Sequence, residues 1–339
     1  MRLIPFDGCI PKLQGSPEIE QFIEKTKEDF DPTDYLKIPG TSFFIYRITA
    51  ADVIITGLVC QVVDESNIIK HETVIPAKSK FIASLIEKAG AVIKPIMAFY
   101  PTQEKFTQFI SALATNENLI FEIHIGEEHH QVFKVPDEGA ETIQNLGLDI
   151  QSLYIADGHH RYQALAELTT SPFGPPGIFS FIYDASMVYV KPYNRSVHFE
   201  SQEELERFSS KMEDISSEVK IYPSGYVPQQ KGEVVIVGET QTTSYILHQE
   251  SEEIADIDYL NKMIFEAYVR PRPFTFQFLS PDETVEKLES KVEENELVLM
   301  FYPITAAAIM ETTSRGAVFP PKSTWFYPKV RSGIIASTF

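Results

Sequence analysis

A mixed α/β (α+β) architecture, with largely antiparallel sheets, flanking helices and two lobes, is the fold class this sequence predicts. Three observations carry it. Strand-like segments arrive as neighbouring hairpins rather than as regular β-α-β units. Apolar residues at helical spacing recur between them. The chain has 339 residues, 43% apolar, with 24 phenylalanines and 15 tyrosines. That supplies one large core or two lobes of ordinary size. The lobes are expected at 1–200 and 201–339, with the C-terminal tail of the second returning towards the first.

Taken in order, residues 17–27 read as a helix and 28–34 as a polar linker. Residues 41–48 and 53–63 are rich in aromatic and branched side chains and read as strands paired around 49–52. A short segment, 68–74, carries His71 and Glu72. Residues 78–88 fit an amphipathic helix with Phe81, Leu85 and Ala89 as its core stripe. Residues 91–100 form a strand interrupted by Pro95, and 106–114 a helix. Residues 119–125 and 131–134 form a hairpin around the polar 126–130 turn. His129 and His130, as neighbours on a strand, point to opposite faces, which argues against a metal pair. Residues 139–147 are helical.

Beyond the centre, the Pro- and Gly-rich 171–177 loop ends a helix. Strands are expected at 178–183 and 187–190, a charged helix at 201–213, and strands at 234–237 and 243–248. A helix at 258–268 leads into a stiff basic turn at 269–273. The chain closes with a helix at 285–294, a buried strand at 297–302, a helix at 304–315 and the tail.

Composition excludes several classes. With 29 basic and 48 acidic residues the net charge is −19, so the chain repels nucleic acid overall. The most apolar run, 53–63, is too short and too interrupted to span a bilayer. Cys9 and Cys60 show neither metal spacing nor a disulfide framework. The start, Met1-Arg2-Leu3-Ile4-Pro5, shows no basic-then-apolar leader. A soluble cytoplasmic protein with no nucleic-acid or membrane partner is expected. One stretch departs from the acidity: residues 312–339 hold no Asp or Glu but carry Arg315, Lys322, Lys329 and Arg331.

The chain is organised around Tyr154-Ile155-Ala156-Asp157-Gly158-His159-His160-Arg161-Tyr162. It reads as an apolar strand, a tight turn at Asp157-Gly158, and a helix to about Leu168. The turn places His159, His160 and Arg161 in the first helical turn, where unpaired N–H groups and the helix dipole favour an anion. Arg161 falls on one stripe with Ala164, Leu165 and Leu168, the expected core stripe, while His159 and Tyr162 fall on another side. An arginine so placed needs an anionic partner, a phosphate or a structural carboxylate. Asp157 is either a cap for the helix or a ligand for a magnesium ion, with capping favoured by its position.

Three motifs carry a resemblance: Ala156-Asp157-Gly158-His159-His160-Arg161-Tyr162, Lys70-His71-Glu72-Thr73, and the stretch Pro320-Pro321-Lys322-Ser323-Thr324 through Lys329. Together they resemble a bacterial and archaeal family of unknown function, over nearly the whole chain. The sequence departs from the usual family pattern at Ile10-Pro11-Lys12-Leu13, where a Pro-Tyr-Asp segment is common. The central motif alone is similar to the ParB and sulfiredoxin superfamily, which includes free-serine kinases, and implies a ParB/sulfiredoxin-like central portion. In that superfamily the glycine-histidine-arginine turn holds nucleotide phosphates. The family position of Arg195 and His198 usually carries a basic pair, which makes them second-tier candidates with His71 and Lys329.

Phosphoryl transfer needs placement, charge neutralisation and one base. Asp157, Gly158 and Arg161, with Lys322, Ser323 and Thr324 of the tail, are the candidate phosphate ligands. Glu72, His159 and His160 are the candidate catalytic residues. The expected function is phosphoryl transfer on a small hydroxylated metabolite. The resemblance implies serine or phosphoserine as that metabolite, and a nucleotide (ATP or ADP) with Mg2+ as cofactor. Two alternatives stay open: a phosphohydrolase using His159 or His160 as phosphoryl acceptor, and a non-catalytic nucleotide-binding regulator.

Overall fold

In the computed structural model, residues 1–13, 18–25, 30–72, 74–248, 274–319 and 323–339 are described. The chain divides into two compact units, Met1–Tyr189 with Phe326–Phe339, and Val190–Trp325.

The first unit opens with β1 (Leu3–Ile4), β2 (Phe6–Pro11), α1 (Ile19–Lys25), β3 (Tyr35–Ser42), β4 (Phe44–Ala50) and β5 (Val53–Val62). β6 (Ile68–Ile69), α2 (Pro76–Ala89), β7 (Ala91–Val92), β8 (Ile96–Tyr100) and α3 (Glu104–Leu113) follow. Next come β9 (Leu119–Ile125), β10 (Glu128–Lys134), α4 (Asp137–Gly147), β11 (Leu153–Asp157), α5 (His159–Leu168) and β12 (Ile178–Asp184).

Nine of these strands form one sheet in the order β6-β11-β8-β12-β5-β4-β10-β9, with β1 beside β5. The two expected hairpins are present. β4 pairs with β5 from Phe44↔Val59 to Ala50↔Val53, and β10 pairs with β9 around a two-residue turn. Only β8 with β12 and β6 with β11 run parallel; the rest is antiparallel. β12 lies between β8 and β5 and is buried along its whole length, which matches a largely apolar sequence interrupted by Ser180. His129 and His130 do face opposite ways: His130 is buried against Tyr46, while His129 stacks on His124 at 4.1 Å.

The second unit holds β13 (Val190–Lys191), β14 (Arg195–Phe199), α6 (Gln202–Asp214), β15 (Ser216–Tyr222), β16 (Glu233–Val237) and β17 (Thr242–Leu247). It continues with β18 (Phe274–Phe278), α7 (Val285–Glu289), β19 (Glu296–Phe301) and α8 (Ala306–Ser314), and β20 (Trp325–Phe326) leads out of it. Its sheet has the order β15-β17-β16-β19-β14-β18 and is antiparallel throughout. Phe208 and Met212 of α6 pack with Val197, Val234, Ile236 and Leu299 in its main core.

The last strand, β21 (Ala336–Thr338), belongs to the first unit. It lies between β2 and β7 in a second sheet, β3-β2-β21-β7, and its Ser337 hydroxyl accepts from Gln61 Nε2 at 3.0 Å. The tail is therefore anchored on both flanks of its final strand.

Several expectations are corrected. Phe81 and Leu85 are not core residues but 64% and 39% exposed. Ser79 and Ile86 are the buried positions of α2, with Ile82 and Ala83 half-buried beside them, one helical stripe in which small residues suit close packing on α5. The expected strand at 187–190 is instead a 3₁₀ turn, Ala185–Met187, because Asp184 accepts from the Ser186 N–H and turns the chain; only Val190–Lys191 is extended. The helix expected at 285–294 stops at Glu289. β15 was not expected, since its charged, exposed side chains hide the alternation. The helix expected at 258–268 and the turn at 269–273 lie outside the described residues.

Gly57 on β5 tests how closely β5 and β12 approach. A methyl there would lie 2.4 Å from the Ile182 carbonyl oxygen and 2.7 Å from the Phe181 ring. Gly57→Ala should cost about 1–3 kcal/mol, the range for forced overpacking, seen as a lower urea midpoint. An unchanged midpoint would show that the two strands can separate to admit a methyl.

Candidate functional site: the α5 N-terminus

Strand pairing explains why distant motifs meet. β11 runs parallel to β6, with Leu153 opposite Ile68 and Tyr154 opposite Ile69. Continued past Ile69, Lys70-His71-Glu72 therefore runs beside Ile155-Ala156-Asp157. β8 is antiparallel to β11, with Asp157 opposite Met97, so Lys94, just before β8, arrives at the same end. The tail joins them: the Val330 N–H lies 3.4 Å from Met97 Sδ, and the Phe326 ring sits 5.9 Å from His71 and 6.1 Å from Phe99.

At this edge β11 turns directly into α5 through Gly158, whose φ of 104° is open to glycine and poorly tolerated by other residues. A side chain is excluded for a second reason. A Cβ at Gly158 would lie 2.6 Å from Arg161 Nη2. Arg161 folds back over this bare Cα and donates from Nη2 to Asp157 Oδ2 at 2.8 Å. Lys94 Nζ lies 3.7 Å from the same oxygen, and Lys329 Nζ 3.3 Å from Oδ1.

Two expectations change here. Asp157 is not a helix cap: Gly158 occupies the cap position without any side-chain hydrogen bond, and both carboxylate oxygens face cations. His159 and Tyr162 are not on an outer side of α5 but are buried with Ala164, Leu165 and Leu168. The helix turns its His159 face inwards because the His71 ring receives it edge-on at 4.6 Å.

Burial works to raise the Asp157 carboxyl, but Arg161, Lys94 and Lys329 overcome it and hold the group well below the usual carboxylate range. Burial pushes His71 down to about 4, against a hydrogen bond with the Ile155 backbone. Burial and the neighbouring His71 push His159 down to about 3. Both imidazoles are thus neutral at pH 7. Burial and then Lys78 lower His160 as well. Glu72 moves the other way, raised by burial and by Asp157 against the pull of Lys329 and Lys78.

Charge accumulates in one place. Arg161, Lys94 and Lys329 surround Asp157, while Lys70 acts on His159, and Lys78 on Glu72 and His160. Five cations against the two carboxylates leave an excess of three in a chain whose net charge is −19. Three nitrogens in the first turn of α5 are buried without a hydrogen-bond partner: His159 Nε2, His160 Nδ1 and Arg161 Nε. With the uncapped backbone N–H groups, they form a set of polar atoms suited to an oxyanion.

Arg195 and His198 stand on β14 of the second unit, where the Arg195 guanidinium lies over the rings of Phe276, Phe278 and Phe301 at 5.1–5.9 Å. Ser323, buried, and Thr324, half-buried, also belong to the second unit. Lys322 and Thr73 lie outside the described residues. Lys94, Lys78 and Tyr183, whose hydroxyl burial and Asp157 both raise, escaped the sequence reading. Lys94 had one visible signal: it is the lone charge in the apolar run 91–100. Lys70 was in plain view beside His71.

Fold and site together define a mixed α/β protein with a concentrated cationic site at a helix N-terminus. The chain belongs to the family described as "Protein of unknown function (DUF1015)", whose profile matches residues 18–267. This is the kind of family the three motifs led us to expect. No curated protein matches the chain. Among solved structures it is similar to SbnI with a C-terminal truncation from Staphylococcus aureus, at 11% identity over 81% of this chain and 84% of that one, with a TM-score of 0.44. A free serine kinase variant in complex with ADP gives 16% identity, 80% and 90% coverage and a TM-score of 0.41. A conserved hypothetical protein from Pyrococcus furiosus gives 15%, 79% and 90%, and 0.36. Among the described residues, no helix is long and apolar enough to cross a membrane.

The buried imidazoles set a pH dependence. His71 and His159 stay neutral in the fold down to about pH 4 and 3, whereas unfolded histidine titrates near ~6.5. Between those limits the unfolded chain binds more protons, so stability must fall as pH drops from about 6.5 to 4. Asp157, held low in the fold, adds its own loss from about pH 5 downwards, as the unfolded carboxylate begins to protonate. We expect the wild-type urea midpoint to fall steeply across the window, by a few kcal/mol in free energy. His159→Gln should flatten the slope whatever it does to absolute stability; an equally steep slope would mean His159 is protonated in the fold.

Proposed function

We propose that this protein is a phosphoryl-transfer enzyme acting on a small hydroxylated metabolite, with the transferring phosphate held at the N-terminus of α5. The observation that carries the reading is the set of three partnerless buried nitrogens on His159, His160 and Arg161, at the uncapped end of a helix within a net-positive cluster. Loss of hydrogen bonding to a buried polar atom costs about 1–3 kcal/mol. A phosphate oxygen arriving there would offset that cost at several atoms at once.

Each residue then has a role. The backbone N–H groups at His159 to Arg161 and the Arg161 Nε–H donate to phosphate oxygens. Lys94 and Lys329 offset the negative charge gathered beside Asp157. Asp157 orients Arg161 and is not itself a phosphate ligand. Glu72, its carboxyl raised, accepts the proton of the attacking hydroxyl. The new O–P bond forms at that hydroxyl as the donor's bridging P–O bond breaks. Serine is the acceptor that the family resemblance implies, and a nucleotide is the corresponding donor.

The cluster fits a polyphosphate, whose anionic oxygens match the surplus cations. It fits Mg2+ less well. Both Asp157 oxygens are turned to cations, leaving Glu72 as the carboxylate with spare capacity, and among the described residues no group of three His, Cys, Asp or Glu could hold a metal. No step here is routed through a metal.

Calorimetric titration with inorganic phosphate and ADP, followed by 31P NMR of serine with ATP or ADP, tests the proposal. Arg161→Lys should lose about tenfold or more in phosphate affinity, since an ammonium cannot reproduce the planar fork; equal affinity would remove the clamp. Glu72→Gln should bind phosphate normally yet transfer about 10²–10⁴-fold more slowly. Phosphate release without dependence on an acceptor would show a hydrolase instead. Binding without turnover would show a regulator.

A further inference from the structure

We infer that β15 is a self-complementary dimerisation edge, through which a second copy of this chain extends the six-stranded sheet. Among the described residues, β15 is a sheet edge, paired with β17 on one side only. It is exposed on both faces from Ser217 to Ile221, with Val219 41% and Ile221 69% exposed; β18 shares this only over Thr275 to Gln277. An open edge with apolar side chains offers N–H and C=O groups to another strand.

The occupant follows from the order of charges. Glu218 and Lys220 flank Val219, both exposed on one face and paired with each other along the strand. Antiparallel pairing of two β15 strands about a two-fold axis at Val219 sets Glu218 opposite the partner's Lys220, and Lys220 opposite the partner's Glu218. Opposite charges directly across a ladder stabilise it, and like charges destabilise it. On the other face Val219 meets its own copy, and Ile221 lies across from the partner's Ser217. Charged side chains on an edge often guard it against pairing, but here their order, Glu218 then Lys220, is complementary to its own antiparallel copy. The result is an isologous, closed interface. β18, the opposite edge, has no charged residue (Phe-Thr-Phe-Gln-Phe) and offers no such code.

A ladder of at most seven residues, regular from Glu218 to Tyr222 and bulged at Ser217, is smaller than the ~1,200–2,000 Å² of a standard interface, so the dimer should be reversible at micromolar concentration. Sedimentation equilibrium of the full chain from about 1 to 500 μM, the span in which such an interface dissociates, should show the mass rise from 38.4 kDa towards twice that value. Glu218→Lys and Lys220→Glu each convert both symmetric contacts to repulsion and should weaken association about tenfold or more. The double variant restores opposite charges across the axis and should regain wild-type association, and the two single variants mixed should associate more tightly than either alone. Both positions are exposed, and circular dichroism of each variant confirms the fold. A mass fixed at 38.4 kDa would overturn the inference. So would a dimer indifferent to both swaps, a double variant as weak as the singles, or open-ended growth. None of these outcomes bears on the phosphate site, which lies in the other unit.

Discussion

One carboxylate organises the first unit's functional edge. Asp157 accepts from Arg161 and faces Lys94 and Lys329, so three segments far apart in sequence meet at two oxygens. Remove its charge and the surplus cations repel one another: two unit charges at 6 Å cost about 3 kcal/mol at an effective dielectric of 20. The strand register delivers these groups, but the carboxylate permits them to stay. It also fixes Gly158, because the Arg161 side chain that reaches Asp157 passes over the Cα where any larger residue would place its Cβ.

The tail must be held for Lys329 to reach that carboxylate, and a second polar chain does so. Two residues on, Arg331 donates from Nε to Glu128 Oε2 at 2.9 Å, and His130 Nε2 lies 3.2 Å from the same oxygen. The Tyr46 hydroxyl lies 3.0 Å from His130 Nδ1. With Glu128 accepting, the imidazole donates through Nε2, and in its neutral form it accepts from Tyr46 through Nδ1. Its burial agrees, lowering the His130 pKa against the pull of Glu128. β21, fixed between β2 and β7, holds the tail from the far side. Lys329 is thus placed by two anchors that follow it in the chain, Arg331 and β21.

What the sequence shows and what it hides follow from the range of the forces involved. The hairpins and the strand–glycine–helix centre were legible because each is signalled locally. The inward face of α5 was not, since helical spacing identifies a stripe but not which neighbour covers it; His71, 88 residues away, decided that. The role of Asp157 failed for the same reason. A position before a helix suggests a cap, and only the convergence of Lys94 and Lys329 shows two better partners. Phe81 and Leu85 misled because an apolar stripe was equated with burial, whereas α2 uses its small residues to approach α5.

The acidity of the chain and the cationic site are compatible because they act at different distances. At physiological salt, charges beyond about 8 Å are largely screened, so the −19 of the whole chain scarcely weakens an anion already in contact with Lys94, Lys329 and Arg161. It acts at longer range, by lowering the rate at which an anion approaches. Under the proposed function, a bound phosphate would feel chiefly the five cations and two carboxylates of the cluster, because the more distant charges of the chain are screened.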